Sequence, residues 1–253
     1  MIHLAARVGG LFRNLREPVE MMTDNLLINA NVMAAAHVTG VQHLVGCLST
    51  CIFPDAVDSY PITMADLHNG PPHSSNEGYA YAKRAMEVLA RAYQRQYGRR
   101  YFCIAPTNVY GPHDNFNLVD AHVVPALVRR CVQAQRDRTE FVVAGDGTPL
   151  RQFVFSEDLA RVTLRAFLEY GTPEVPLPVC PPSSEVALAE LVAEIVNAVG
   201  FQGAVRYDAS CPNGQHRKTC EATPPEFAPA WVPLKHGIDR TVAWYKQCET
   251  RLA

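Results

Sequence analysis

Apolar positions along the chain recur at two spacings, and the two alternate. Short apolar runs stand at residues 1–6 (MIHLAA), 41–48 (VQHLVGCL), 101–105 (YFCIA), 141–143 and 151–155. Runs of this length, bounded by turn residues, predict buried strands. Between them apolar residues fall three and four apart, which predicts helices over 23–37, 77–97, 118–135, 157–170, 186–199 and 241–251. Thr23, Asp24 or Asn25 is positioned to cap the first and Ser156 the fourth, while the third continues through Pro125. Gly40, Gly98 and Gly200 supply three of the stops. Residues 49–60, 69–75 and 106–117 read as loops and 145–148 as a turn. Strands alternating with helices predict an α/β fold with a mostly parallel sheet. The later half is richer in loops and prolines, as expected of a smaller lobe, and no internal repeat interrupts the pattern.

Composition narrows the class. A chain of 253 residues makes one large domain or two small ones and can bury a core without a disulfide or metal staple. A net charge of −2 creates no global field for nucleic acid or an anionic membrane. The eight cysteines include no C-x-x-C pair, so no metal site is expected, and their scatter favours a reducing compartment. The start lacks a signal-peptide pattern, and no run of about 18 apolar residues occurs. These features predict a cytoplasmic protein.

The chemistry-bearing residues stand where the second strand ends and the long helix begins. In open parallel sheets ligands bind beyond the carboxyl ends of the strands, where Ser49 falls. Tyr79 and Lys83 are four apart and share a helix face. An ammonium beside a phenol favours the phenolate, so Lys83 is expected to bring Tyr79 toward neutral pH. A serine hydroxyl that bonds a carbonyl completes a set suited to reducing a ketone by hydride. Tyr81 competes for the phenol role but has Ala85, and not a lysine, four residues on.

Ser49, the Tyr79-x-x-x-Lys83 spacing and Asn108-Val-Tyr-Gly-Pro112 resemble the extended short-chain dehydrogenase/reductases, which act on nucleotide sugars. Longer strings at 3–10 (HLAARVGG), 49–54 (STCIFP), 68–72 (HNGPP), 106–116 (PTNVYGPHDNF) and 122–125 (HVVP) are more specific. They resemble the members that epimerise and reduce GDP-4-keto-6-deoxy-D-mannose, most strongly over 1–155. The resemblance implies an NADP(H)-dependent 3,5-epimerisation and 4-reduction giving GDP-L-fucose. It makes Cys51 the base and His122 the acid of the epimerisation, since a ketone acidifies its flanking C–H bonds and thiol and imidazole both titrate near neutral pH. It also implies that Tyr79 protonates the C4 oxygen, with Ser49 on the carbonyl.

The same resemblance places Cys47, Leu48, Ser49, Thr50, Lys83, Pro106, Thr107, Asn108, Val109 and His122 around the cofactor. It places Arg130, Arg151, Asn213 and Lys218 on the substrate, with Asn213 standing where some relatives carry aspartate. Arginine suits a diphosphate because its planar fork donates in pairs. The implied partner is a second copy of the chain, a homodimer formed through helices flanking the Tyr79–Lys83 element. Tyr93 and Tyr97 on that helix are candidates for the interface or the core, with the core expected.

The implied fold is a Rossmann-like sheet lacking its first strands. Residues 1–118, with return segments within 140–180, form the partial NADP-binding domain, and 119–253 form mainly the substrate lobe. No G-G-x-G-x-x-G turn is present. At about 30 residues per βαβ unit, on the order of 60 or more residues of the family pattern are expected to be absent before Met1. Two other readings stay open: another nucleotide-sugar epimerase or dehydratase, and a non-catalytic form that binds or dimerises.

Overall fold

A computed structural model describes residues 1–171, 173 and 175–252. In chain order its first half runs β1 (Ile2–His3), α1 (Leu11–Arg16), α2 (Pro18–Val38), β2 (His43–Cys47), α3 (Glu77–Tyr97), β3 (Arg100–Pro106) and β4 (Asn108–Tyr110). The second half runs α4 (Val123–Asp137), β5 (Phe141–Ala144), β6 (Leu150–Phe155), α5 (Ser156–Glu169), β7 (Leu177–Val179), β8 (Glu185–Ala187), α6 (Leu188–Val199), β9 (Val205–Asp208) and α7 (Leu234–Leu252). Short 3-10 turns at Thr50–Ile52, Met64–His68 and Ser74–Asn76 shape the segment between β2 and α3.

Strands β1, β2, β3 and β7 pair side by side in that order, all parallel. Alternate residues of β2 and β3 enter different cores. Leu44, Tyr101, Cys103 and Ala105 face α2 and α3 through Met33, Ala36, Met86 and Ala90. Val45, Phe102 and Ile104 face α5 through Val162 and Ala166. Burial on both faces explains why these strands read as unbroken apolar runs and not as alternation. A third core joins α4, β5, β6, α6 and α7 through Val128, Cys131, Phe141, Phe155, Leu191, Ile195 and Ile238. In that region β6 runs parallel to β4 and antiparallel to β8, while β5 and β9 form a parallel pair.

Helix α3 matches its predicted span and ends as Gly98 takes φ 63°, its N–H returning to the Gln94 carbonyl at 2.9 Å. Other boundaries differ for identifiable reasons. Helix α2 starts at Pro18, so Thr23, Asp24 and Asn25 lie inside it and not at its cap. Proline with its fixed φ is a favourable first helical residue. Helix α4 begins at Val123, which puts Pro125 in the first turn, where its missing N–H costs no hydrogen bond. Ser156 is the first residue of α5 and not its cap. Val186 belongs to β8, and α7 starts well before residue 241. Helix α1 and strands β4, β7, β8 and β9 were not predicted; each is six residues or shorter. Tyr93 packs against the core, whereas Tyr97 is 50% exposed with its ring tilted against that of His37. Among the described residues no helix is long and apolar enough to cross a membrane.

Candidate active site

One cavity of about 640 Å³ opens at the carboxyl ends of β2 and β3. The ladder that pairs Cys47 with Ile104 also sets the following residues, since the Leu48 N–H reaches the Ile104 carbonyl at 2.8 Å. One bond further, the Thr107 N–H reaches the Val179 carbonyl at 3.1 Å. Cys47, Leu48, Ser49, Thr50 and Cys51 therefore line the cavity beside Pro106, Thr107, Asn108 and Val109. Asn108 is fixed from the side by its amide, which donates to the Gln152 carbonyl at 2.8 Å.

Ser49 caps the 3-10 turn that carries Cys51, its Oγ accepting the Cys51 N–H at 3.5 Å. Its O–H also lies within reach of the Cys51 sulfur, where it favours the thiolate. Cys51 is 6% exposed, and burial pushes its thiol up. The Lys218 ammonium is the strongest opposing influence, with Ser49 and Lys83 adding to it. Lys218 feels the reverse: burial pulls its ammonium down and Cys51 pushes it back up. The two groups thus favour each other's ionised forms.

Tyr79 reaches the cavity from the first turn of α3. Burial raises its phenol well above the ordinary value, with Cys51 and Cys47 adding to the rise. This corrects the expectation that Lys83 brings the phenol toward neutrality. The Lys83 ammonium sits over the Tyr79 ring, 5.6 Å from its centroid, and donates to the Cys47 carbonyl at 2.7 Å. Lys83 is 3% exposed and does not line the cavity, alone among the expected site residues. In this state it fastens α3 to the end of β2.

The remaining lining comes from the later half of the chain. His122 is the N-cap of α4, and Arg130 projects from two turns further along that helix. The turn at Gly9 and Gly10 holds the segment before His122: the Gly10 N–H donates to the Asp120 carbonyl at 3.2 Å. A Cβ at Gly10 would approach the Ala121 carbonyl oxygen to 2.7 Å, a contact only glycine avoids. Arg13 adds a side-chain bond to Asp120 at 3.1 Å. Arg151, on β6, donates to the Leu150, Gln215 and His216 carbonyls. Lys218 lies on the loop those last two carbonyls introduce. Among the described residues Arg130, Arg151 and Lys218 make no ion pair with a carboxylate, although Asp55 lies near enough to Lys218 to favour its charge. Cations held at a cavity surface without a carboxylate are suited to an anionic ligand. Asn213 lines the cavity too, but its Oδ1 accepts the Asp146 N–H at 3.1 Å, so half of its side chain secures a turn.

His73, Asn76, Asp114 and Asn14 also line the cavity and were not anticipated. Each lies in a loop or in a helix of six residues or fewer, too short for periodicity to single out a side chain. Burial raises the Asp114 carboxyl, and His122 opposes the rise, which places the two groups within electrostatic reach. Asn14 has a buried side-chain oxygen without a partner. The carboxamide and ribose hydroxyls of a nicotinamide nucleotide bring donors of the kind that this oxygen and the strand-end peptides accept, so the lining fits such a cofactor.

Comparison with known proteins follows the same lines. The profile of the NAD dependent epimerase/dehydratase family matches residues 1–176. The GDP-L-fucose synthase of Dictyostelium discoideum is 40% identical over 250 residues, spanning 97% of this chain and 77% of that protein. A probable GDP-L-fucose synthase of Drosophila melanogaster is 42% identical over 255 residues, 97% of this chain and 79% of that protein. A crystal structure of a GDP-L-fucose synthetase from Naegleria fowleri bound to NADP superposes with a TM-score of 0.88 at 39% identity, covering 98% of this chain and 77% of that one.

Proposed function

The chain belongs to the NAD dependent epimerase/dehydratase family and, within it, to the GDP-L-fucose synthases, and from that premise we propose that it converts GDP-4-keto-6-deoxy-D-mannose to GDP-L-fucose with NADPH. The observation that carries this reading is one cavity holding Cys51, Tyr79 and His122 together with Arg130, Arg151 and Lys218. A pure reductase needs only the phenol, the serine and a hydride source. A thiol and an imidazole in the same cavity add the means to move carbon-bound protons.

Arg130 and Arg151 hold the diphosphate of the GDP-sugar, supplying the charge-assisted donors that an anion of this kind takes. Epimerisation comes first. The C4 ketone acidifies the hydrogens at C3 and C5, and the Ser49 hydroxyl donates to the ketone oxygen as negative charge develops there. Cys51 takes the proton from carbon, its thiolate favoured by Lys218. His122 returns a proton to the other face of the same carbon, with Asp114 within electrostatic reach.

Bound NADPH supplies the hydride that reduces C4. Cys47, Leu48, Ser49, Thr50, Pro106, Thr107, Asn108 and Val109 are the residues that would hold its nicotinamide end, with Asn14 meeting a donor. Tyr79 gives its proton to the C4 oxygen. Burial keeps the phenol protonated through the neutral range, which suits a group that acts as an acid. Lys83 acts through position, tying the helix that bears Tyr79 to the strand that bears Ser49.

Two copies of the chain pair through α2 and α3. These helices lie side by side and leave Val19, Met22, Leu27, Tyr81 and Val88 exposed. Sedimentation should give a dimer that Val88→Glu dissociates; a wild-type monomer at micromolar concentration refutes the pairing. Eight free cysteines suit a reducing cytoplasm. The function itself is tested by mixing the protein with GDP-4-keto-6-deoxy-D-mannose and NADPH. Loss of the reduced-nicotinamide absorbance should accompany formation of GDP-L-fucose. A folded protein that yields neither product nor solvent-deuterium uptake into the sugar overturns the reading.

A further inference from the structure

The turn that precedes α3 carries a histidine with no part in the reaction described above. His73 is the N-cap of the 3-10 turn Ser74–Asn76 and lines the cavity beside Ser75, Asn76 and Tyr79. Its Nδ1 accepts the Ser75 backbone N–H at 3.1 Å and lies 2.7 Å from the Ser75 Oγ. A backbone N–H only donates, so Nδ1 is the acceptor nitrogen and the proton of the neutral ring sits on Nε2. Among the described residues Nε2 has no protein partner. The backbone thus fixes which edge of the ring donates and leaves that edge unused. Asn76, on the same turn, has a side-chain oxygen that is buried without a partner. The turn just ahead of Tyr79 therefore brings to the cavity lining a ring whose donor is fixed and unused, while the Asn76 oxygen is closed off beneath it.

The position of that donor selects its acceptor. The diphosphate falls to Arg130 and Arg151, whereas this turn adjoins Tyr79, which acts at C4 of the hexose, so the oxygen within its reach belongs to the sugar. We infer that His73 binds a ring hydroxyl of the nucleotide-sugar substrate, with Nε2–H donating to the hydroxyl oxygen. The inference rests on the GDP-sugar reading above and adds to it a contact that reads the sugar and not the nucleotide. Its consequence is positional. The turn leads directly into the helix that carries Tyr79, so a hydroxyl held there sets the hexose ring relative to the phenol.

Capping alone would account for Nδ1, so the test must separate the two nitrogens. Asparagine at 73 keeps an acceptor for the Ser75 N–H but lacks the reach of Nε2. Glutamine keeps a donor at about that reach but caps poorly. Calorimetric titration with GDP and with GDP-mannose reads the sugar contribution by itself. His73→Asn should leave GDP affinity within about twofold while weakening GDP-mannose by about fivefold to tenfold, the worth of one hydrogen bond. His73→Gln should recover most of that loss. Three results would overturn the inference: GDP-mannose binding unchanged in His73→Asn, loss confined to His73→Gln, or equal loss for both ligands in His73→Asn. The titrations decide this independently of turnover. A wild-type protein that binds GDP-mannose through His73 yet fails to reduce the keto sugar would sink the proposed reaction and leave this contact standing.

Discussion

The cavity has two linings built on different principles. One consists of consecutive residues after β2 and β3, with Tyr79 added from the start of α3. Its atoms are placed by a strand ladder, by the Lys83 bond to the Cys47 carbonyl and by the core beneath. The other gathers His122 and Arg130 from α4, Arg151 from β6, and Asn213 and Lys218 from a loop that closes over β6. Its side chains are held by carbonyls and turns, as Arg151 is by three backbone oxygens. With His122 as the exception, the difference matches the division of labour. Proton and hydride transfer need geometry fixed to a fraction of an ångström, which a parallel ladder gives. Gripping a diphosphate needs charge and reach, which long side chains on a loop and a helix supply.

Substitutions in the ladder-borne lining should therefore affect rate, and those at the arginines of the other should affect binding. The largest effect is expected at Tyr79. Tyr79→Phe removes the proton donor at C4 and should lower the rate of reduction by about 10²–10⁴-fold, the range for a single general acid. Deuterium uptake from solvent should continue, because Cys51 and His122 remain. A folded Tyr79→Phe protein that has lost exchange together with reduction would show that the two chemistries are not separable. Next comes Cys51→Ser. A hydroxyl is a far weaker base than a thiol at neutral pH, so exchange should fall by about 10²-fold or more. Full exchange in this variant would move the base elsewhere.

Binding changes rank below these. Arg130→Ala and Arg151→Ala should each weaken GDP by about tenfold or more, since hydrogen bonds to charged groups contribute roughly 1.5–3 kcal/mol. Turnover at saturating substrate should change less than affinity. An Arg151→Ala variant with unchanged GDP affinity would reduce that residue to a strut for residues 215 and 216.

Lys218 belongs to the second lining but faces Cys51 of the first, so it tests how independent the two are. Lys218 favours the thiolate, and its removal should push the Cys51 thiol higher still. In Lys218→Met the pH profile of deuterium exchange should keep its shape while its rising limb moves to higher pH. A limb that stays in place, with only GDP binding weakened, would confine Lys218 to the diphosphate.

The two linings also differed in how far the sequence disclosed them. Residues 47–51 and 106–109 follow short apolar runs, and a parallel sheet puts its ligands beyond such runs. Tyr79 and Lys83 lie at helical spacing in a segment whose start and Gly98 stop are both well marked. Spacing alone could not show that Lys83 lies over the Tyr79 ring, out of the cavity, because that depends on where the Cys47 carbonyl points. The juxtaposition of Lys218 with Cys51 was beyond reach for a related reason. It is made by a loop that pairs with β6 and with residue 62, partners far away in the chain. His73 and Asp114 stand in segments without a period, where a polar residue announces nothing. Helix α1 was hidden by its length and by Pro18, which reads as a break and acts as the first residue of α2.

A cluster of charges at α1 adjoins the segment leading to His122, and it gives the smallest of the expected effects. Glu17 accepts from Arg7, Arg13 and Arg16, and Arg13 also bonds Asp120, two residues before His122. These arginines lower the Glu17 carboxyl from the ordinary value to about 2. A carboxylate with a depressed folded-state pKa stabilises the fold above its unfolded value and loses that contribution as pH falls through the folded one. The difference in melting temperature between wild type and Glu17→Gln should therefore be present at pH 6, shrink below about pH 4.5 and vanish near pH 2. The pairs are solvent-accessible, so the difference should be small at any pH and smaller in salt. If the cluster also steadies the segment leading to His122, Glu17→Gln should slow deuterium exchange into the sugar several-fold while leaving GDP affinity alone. A variant with the expected pH-dependent melting but full exchange would show that the Gly10 contact with residues 120 and 121 is enough to hold His122 in place.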